Sequence, residues 1–452
     1  MAGGTPDLID APGHEDFIRT MVSGASGAQG AMLVVSAVEG IAAQTREHVQ
    51  IARLLQVPVA VVAVTKVDLI PVATLPARLV EIEDALAAQG VTVAELVPCS
   101  ATTAGGTDHL RQVLARRFNA LPARAAPMGA FLPVDRAFTL AGRGTVVTGT
   151  LLGGALAVGA ALTVQPSGAA TVVRGLQARG AARERVAAGE RVAVNLRGIA
   201  LEDIARGDVI CTGGQGATLC MDVWLTVSDM APRPVKHMQD LRVLWGTAHE
   251  VATLRLMGGG QIAPGGAGLG QLRFKRPVVG FAGQAAVLRQ LSPAATLAGA
   301  VILDPQATAV GAGDRRRLAV MQAAQQQDGA ALAAALCAQG RGVALWSDLV
   351  RLARCDATAA LPTGVVRLSP EHIALADDLA TVQTAVVAAL QRFHTDHPIK
   401  QGAALVVLQR VTPLRGLVPF AQTELVRGGE VVLGDGLVSL ARTDLLAATP
   451  SR

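Results

Sequence analysis

Two strand-length runs, Ala31-Met32-Leu33-Val34-Val35-Ser36-Ala37 and Val59-Ala60-Val61-Val62-Ala63-Val64, are apolar almost without interruption. A strand with one wet face alternates apolar and polar residues, whereas one covered on both faces does not, so these runs read as strands of a parallel sheet with helices on either side. Between them, Gln44 to Leu55 puts Val49, Leu54 and Leu55 on one helical face and Arg46, Glu47, Gln50 and Arg53 on another. Leu75 to Ala88 reads as a second helix, Leu8-Ile9 as the end of a strand at Asp10, and Glu95 to Pro98 as a third strand candidate. A β-α-β-α order predicts an α/β fold with ligand chemistry at the carboxyl ends of the strands.

From about Met128 the pattern changes to short strands punctuated by glycine, which predicts antiparallel barrels. Phe131 to Phe138, Gly144 to Gly149, Arg191 to Leu196 and Asp222 to Val227 are examples, and Cys211 to Gly216 reads as a linker between two barrels. The glycine-rich stretch Gly258 to Gly266 reads as a hairpin tip, because no helix follows it to make a phosphate site. After Asp304-Pro305, two successive cycles of three helices and a short hairpin suit winged-helix repeats. The expected architecture is therefore multidomain: residues 1–124 an α/β nucleotide domain, 125–217 and 218–309 two antiparallel β-barrels, and 310–375 and 376–452 two winged helices.

With 51% apolar and 17% charged residues the 452-residue chain has ample material for packed cores. No apolar run approaches the roughly 20 residues of a membrane span, and no basic segment followed by an apolar one opens the chain, so neither membrane insertion nor secretion is expected. Five scattered cysteines without metal-ligand spacing read as reduced thiols in a cytoplasm. Residues 1–124 carry 9 basic and 12 acidic groups, residues 125–309 carry 17 and 11, and residues 310–452 carry 14 and 12. The basic middle third suits a polyanionic partner such as RNA, with a solvated surface as the alternative.

Three short constellations carry chemistry. In Asp10-Ala11-Pro12-Gly13-His14-Glu15 a strand-end carboxylate, Asp10, is placed to hold Mg²⁺ beside a γ-phosphate, Gly13 lets a backbone N–H approach, and His14 is placed to orient an attacking water. In Thr65-Lys66-Val67-Asp68 the Asp68 carboxylate can accept the paired N1–H and amine of guanine, which adenine does not offer, while the stem of Lys66 covers the base. Cys99-Ser100-Ala101 ends the third strand and supplies a backbone N–H, at Ser100 or Ala101, for the guanine carbonyl oxygen.

These residues, with Gln44-Thr45-Arg46-Glu47-His48, resemble the translational GTPases of the elongation factor Tu type, and most of all the selenocysteine-specific elongation factors. Thr65, where most relatives have Asn in the guanine motif, is similar to that family. The resemblance continues through Val134-Asp135-Arg136-Ala137-Phe138-Thr139, Gly142 to Thr150 and Gly299 to Pro305. It implies GTP/GDP and Mg²⁺ as ligands, GTP hydrolysis, and delivery of selenocysteinyl-tRNA to a ribosome at a UGA codon. It also implies a pocket for the selenol group at Asp135, Arg136 and Arg191. A selenol is mostly ionised at neutral pH and a serine hydroxyl is not, so guanidinium groups give discrimination that shape alone cannot.

The chain departs from the family pattern in two respects that bear on chemistry: no Gly-Lys-Ser/Thr occurs in its 452 residues, and the switch segment with a Mg²⁺-coordinating Thr is not found, so residues 1–124 read as a GTPase-domain remnant. Without that lysine and its cradle of N–H groups, the β- and γ-phosphates lose most of their stabilisation, and feeble GTP binding with negligible turnover is expected. A chain shortened at the N-terminus is the simplest expectation, with a shortened C-terminus that makes mRNA-hairpin binding doubtful.

Overall fold

The wholly apolar run Val59–Thr65 becomes the middle strand of a three-stranded parallel sheet. In the computed structural model, which describes residues 7–11, 18–93, 95–122, 124–140, 144–213 and 216–441, the chain divides into two units, Met1–Gly313 and Asp314–Arg452.

The first unit opens with α1 (Ile18–Gly27), β1 (Ala31–Ser36), α2 (Ala43–Leu54), β2 (Val59–Thr65), α3 (Leu75–Ala87), β3 (Leu96–Pro98) and α4 (Thr107–Asn119). The sheet order is β1-β2-β3. Val62 and Val64 face Ile82 and Leu86 of α3, and Val61 faces Val113 of α4, so β2 is covered on both sides as its composition predicts. β1 reads identically in sequence, yet it pairs only with β2 among the described residues, and its Val34 is 55% exposed. The expected strand at Leu8-Ile9 does not form: Leu8 is 77% exposed, and residues 7–11 join no sheet. A single extended segment cannot satisfy its backbone groups without a neighbouring strand. This one lies instead against the next region, where the Asp7 carboxylate accepts from Arg179 Nε at 2.9 Å.

Next come β4 (Phe131–Pro133), β5 (Arg136–Leu140), β6 (Gly144–Thr150), β7 (Ala155–Ala157), β8 (Ala161–Gln165), β9 (Ala169–Ala178), β10 (Ala181–Arg183), β11 (Arg185–Ala187), β12 (Arg191–Arg197) and β13 (Val209–Cys211). Eight of them curl into an antiparallel sheet in the order β4-β13-β8-β9-β12-β6-β5, with β10 on β9, around Leu132, Val147, Val164, Val194 and Ile210, while β7 and β11 pair with each other. The expected first barrel is thus an open sheet by its ladders. Pro133 in β4 has no N–H to give to a further strand. The gap is spanned where the Asp135 N–H donates to Thr148 O at 2.9 Å. A Cβ at Gly149 would lie 2.3 Å from Pro133 O, so only glycine permits this crossing.

The strands β14 (Thr218–Val227), β15 (Val235–Lys236), β16 (Gln239–Trp245), β17 (Ala248–Leu256), β18 (Gln261–Ile262), β19 (Ala267–Val278), β20 (Ala285–Arg289) and β21 (Thr296–Asp304) follow. Six of them close a barrel, β14-β19-β17-β16-β20-β21, filled by Val223, Leu225, Leu241, Leu254, Leu288 and Ile302. Gly258, Gly259 and Gly260, in the predicted hairpin tip, all have positive φ.

The second unit contains α5 (Arg315–Gln326), α6 (Gly329–Gln339), β22 (Ala344–Leu345), α7 (Trp346–Ala353), β23 (Val365–Arg367) and β24 (His372–Leu375). The same grammar returns in α8 (Ala376–Asp396), β25 (Ala403–Ala404), α9 (Leu405–Leu408), α10 (Val418–Arg427), β26 (Val431–Gly434) and β27 (Leu437–Leu440). Each half has three helices and a three-stranded sheet, ordered β22-β24-β23 and β25-β27-β26. The two halves share a core in which Ala374 joins Val382, Val386, Leu417 and Val438.

No disulfide links the five cysteines, and burial pushes the Cys211 and Cys337 thiols up to about 11. Among the described residues no helix is long and apolar enough to cross a membrane.

Candidate functional site

The parallel register of the sheet aligns its carboxyl ends. Ser36 lies opposite Thr65, and Val64 lies opposite Pro98. The loops that follow therefore converge: Thr65 Oγ1 donates to Val35 O at 3.3 Å, and the Cys99 N–H donates to Val64 O at 2.8 Å. Lys66 turns the chain with φ 59°, its ammonium 3.3 Å from Glu39 Oε1, which leaves Asp68 exposed on the following turn. The Ser100 N–H is spent on Gly105 O, and Ser100 Oγ accepts from the Thr103 N–H. The Ala101 N–H has no hydrogen bond among the described residues, so of the two candidates it is the donor left for a carbonyl oxygen. Thr65, Lys66, Asp68, Ser100 and Ala101 are thus brought to one edge of the sheet. Gly106, at φ 75°, closes the loop so tightly that a Cβ would stand 2.2 Å from Pro98 O.

Asp10 is elsewhere. It lines a cleft of about 300 Å³ with Thr20, Ser23, Gly24 and Gly27 of α1, with Arg136, Thr150 and Arg191 of the eight-stranded sheet and Asp135 and Arg206 of its loops, and with Gly246 and Thr247 of the turn between β16 and β17. The expectation that Asp10 stands at a strand end is corrected by this placement, because residues 7–11 pair with no strand among the described residues. Three arginines line the cavity with it, and no group of three or more metal-type ligands occurs among the described residues. Asp10 as placed does not fit a Mg²⁺ site. Gly13 and His14 lie outside the described residues.

The predicted selenol residues do come together. β5 and β12 flank β6, with Arg136 opposite Thr148 and Arg191 opposite Thr150. Arg191 Nη2 donates to Asp135 Oδ2, and Thr148 Oγ1 donates to Asp135 Oδ1. Arg136 has no ion-pair partner among the described residues. The roof of the cleft is α1, wedged between the two β regions. Ile18, Met21 and Val22 pack on Leu244 and Val287, and a Cβ at Gly27 would sit 3.1 Å from Thr150.

Several residues of this junction carry no advance signal. Arg206 enters from a loop before β13. Arg124 Nη1 donates to Ala28 O at 2.6 Å and Nη2 to Leu55 O at 2.7 Å, tying the chain ends just past α1 and α2, and burial holds its guanidinium below the usual arginine range. Arg19 Nη2 donates to the His249 ring, 2.9 Å from Nδ1. Burial first, then Arg19, with Arg242 and Arg206 adding and Glu250 opposing, pushes that imidazole below its ordinary value. The helix α1 itself was legible in principle: Ile18, Met21, Val22 and Ala25 keep helical spacing.

A guanine-type edge on a parallel sheet, followed by an open antiparallel sheet and a closed barrel, defines a translational GTPase of the elongation factor Tu type. The family model described as Elongation factor Tu GTP binding domain matches residues 5–120, and that of Elongation factor Tu domain 2 matches residues 144–211. The model described as Selenocysteine-specific elongation factor, beta-barrel domain, matches residues 222–309. The selenocysteine-specific elongation factor of Desulfomicrobium baculatum is 34% identical over 459 residues, covering 96% of this chain and 70% of that protein. The one of Escherichia coli K12 is also 34% identical, over 67% of this chain and 48% of that protein. The chain belongs to the selenocysteine-specific elongation factor family. The crystal structure of a bacterial selenocysteine-specific elongation factor, 21% identical, shares the fold with a TM-score of 0.74 over 96% of this chain and 70% of that one. The Methanococcus maripaludis factor SelB in complex with the GTP analogue GppNHp is 25% identical with a TM-score of 0.57, over 65% of this chain and 69% of that one. The GTPase domain implies guanine nucleotides as ligands.

Proposed function

We propose that the chain carries selenocysteinyl-tRNA to the ribosome in the cytoplasm, with the selenolate held in the cleft lined by Asp135, Arg136 and Arg191. The observation that carries this reading is the convergence of Arg136, Arg191 and Arg206 on one cavity of about 300 Å³. A hydroxyl gains little from three guanidinium groups, and an ionised selenol gains charge-assisted hydrogen bonds. Filter retention of selenocysteinyl-tRNA and seryl-tRNA by the full chain tests it. The expected result is at least about tenfold tighter retention of the selenocysteinyl form, which corresponds to one lost charge-assisted contact. Equal retention of the two would sink the assignment.

On this reading Asp68 with Lys66 and Thr65 holds the base of GTP or GDP, the Ala101 N–H meets the guanine carbonyl oxygen, and Mg²⁺ accompanies the phosphates when they bind. A second reading, a module that holds RNA without turning over nucleotide, is favoured by the position of Asp10, which lies among arginines and outside the sheet. A rate of GTP hydrolysis normal for the family, measured on the 452-residue chain, excludes the second reading. Domain boundaries near residues 124, 217 and 309 are supported by the separate cores of the regions they divide, whereas the boundary near residue 375 divides two halves that share a core. The two halves of the second unit are read as winged helices. The exposed side of α10 offers Thr423, Val426 and Arg427, and Arg427 is paired with Glu424, so tight binding of a selenoprotein mRNA hairpin is not expected of these two.

A further inference from the structure

The pair Asp135–Arg191 has a third member. Thr148 stands at the centre of β6 and holds Asp135 twice, through its carbonyl oxygen, which accepts the Asp135 N–H at 2.9 Å, and through its hydroxyl, which donates to Oδ1. The other carboxylate oxygen, Oδ2, accepts from Arg191 Nη2. Both oxygens of Asp135 are therefore committed, and the carboxylate is only 14% exposed while the guanidinium is 44% exposed. A carboxylate so placed repels an incoming anion if it turns toward the cleft and orients a cation if it stays. Of the two side chains that hold the Asp135 carboxylate, Thr148 is the one that is not itself a cation of the cleft, and its hydroxyl holds Oδ1 while Arg191 Nη2 holds Oδ2.

Resting on the proposed selenolate site, we propose that Thr148 is a positioning residue for that site: its hydroxyl locks the Asp135 carboxylate so that the Arg191 fork points into the cleft beside the unpaired Arg136. The ligand class discriminated is an aminoacyl group with an ionised chalcogen against one with a neutral hydroxyl. Thr148 does not touch the ligand in this scheme. It acts through Asp135 and Arg191, so its loss affects the charged ligand and spares the neutral one.

Thr148→Val keeps the shape and removes the donor, and Thr148→Ser keeps the donor. Tested by filter retention on the full chain, Thr148→Val is expected to lower the preference for selenocysteinyl-tRNA over seryl-tRNA about tenfold, with seryl-tRNA retention within about twofold of the parent. Thr148→Ser is expected to keep the preference within about twofold. A parallel loss for both tRNAs, or an undiminished preference in Thr148→Val, overturns the proposal. A second readout needs no tRNA: the ¹⁵N–¹H resonances of the Arg191 guanidinium report hindered rotation in the parent and in Thr148→Ser, and free rotation in Thr148→Val. Hindered rotation persisting in Thr148→Val overturns the proposal even if the parent shows no tRNA preference, an outcome that by itself refutes the selenolate site.

Discussion

The edge at Thr65–Asp68 lies wholly in the α/β region, whereas the cleft around Asp10 is shared with both β regions, and the two are held by different means. The edge is set by strand register, since β2 has a paired neighbour on each side and helices on both faces. The cleft is set by side chains from three sources: Arg179 on Asp7, Asp135 on Arg191, and α1 on Leu244 and Val287. A site hung on a ladder keeps its geometry from the backbone, whereas a site assembled across regions keeps it only while every contact holds.

The sharpest way to break this comparison is to weaken the two strands equally. Val62→Ala in β2, where the side chain is fully buried, is expected to cost about 2–3 kcal/mol in chemical denaturation. Val34→Ala in β1, more than half exposed, is expected to cost under about 0.5 kcal/mol. Equal costs would show that β1 has a cover in solution that β2 does not need. A smaller effect probes the edge itself. Asp68→Asn removes an acceptor for the paired guanine donors and is expected to weaken GDP binding about tenfold, with xanthosine diphosphate gaining in its place, as read by saturation-transfer NMR. An unchanged preference for GDP would move the base away from Asp68.

The smallest effect is expected at the cleft, from His249. Its folded-state pKa lies below the unfolded value of 6.5, so the stability it contributes is fully present above pH 6.5 and is lost as pH falls below it. The ring is faced by Arg19 from α1, Arg206 from the loop before β13, and Arg242 and Glu250 from the closed barrel. Amide protection in α1, taken relative to the intrinsic exchange rate at each pH, is therefore expected to fall between pH 7 and 5.5, and His249→Gln to remove that pH dependence. Exchange in β2 serves as the reference and is expected not to respond.

Much of the edge was legible from residues alone because its information is local: apolar runs mark β1 and β2, and Thr65 to Asp68 follows directly on a strand end. The register that joins it to Ser100 needs only the β-α-β rule. Leu8-Ile9 shows the limit of the same logic, since strand character is local but pairing is not, and a segment without a neighbour stays out of the sheet. Asp135 and Arg191 are 56 positions apart and meet only because β6 runs between their strands. That juxtaposition was supplied by family resemblance, while Thr148, Arg206 and Arg124 had no motif to announce them.

Arg124 has one more consequence. A single guanidinium grips the carbonyl oxygens just past two helices, Ala28 after α1 and Leu55 after α2. Sliding α1 by one turn would carry its oxygen about 5 Å out of reach while the other stayed put. The linker thus works as a mechanical clutch: α1 and α2 travel as one body, or the grip on one of them is released first.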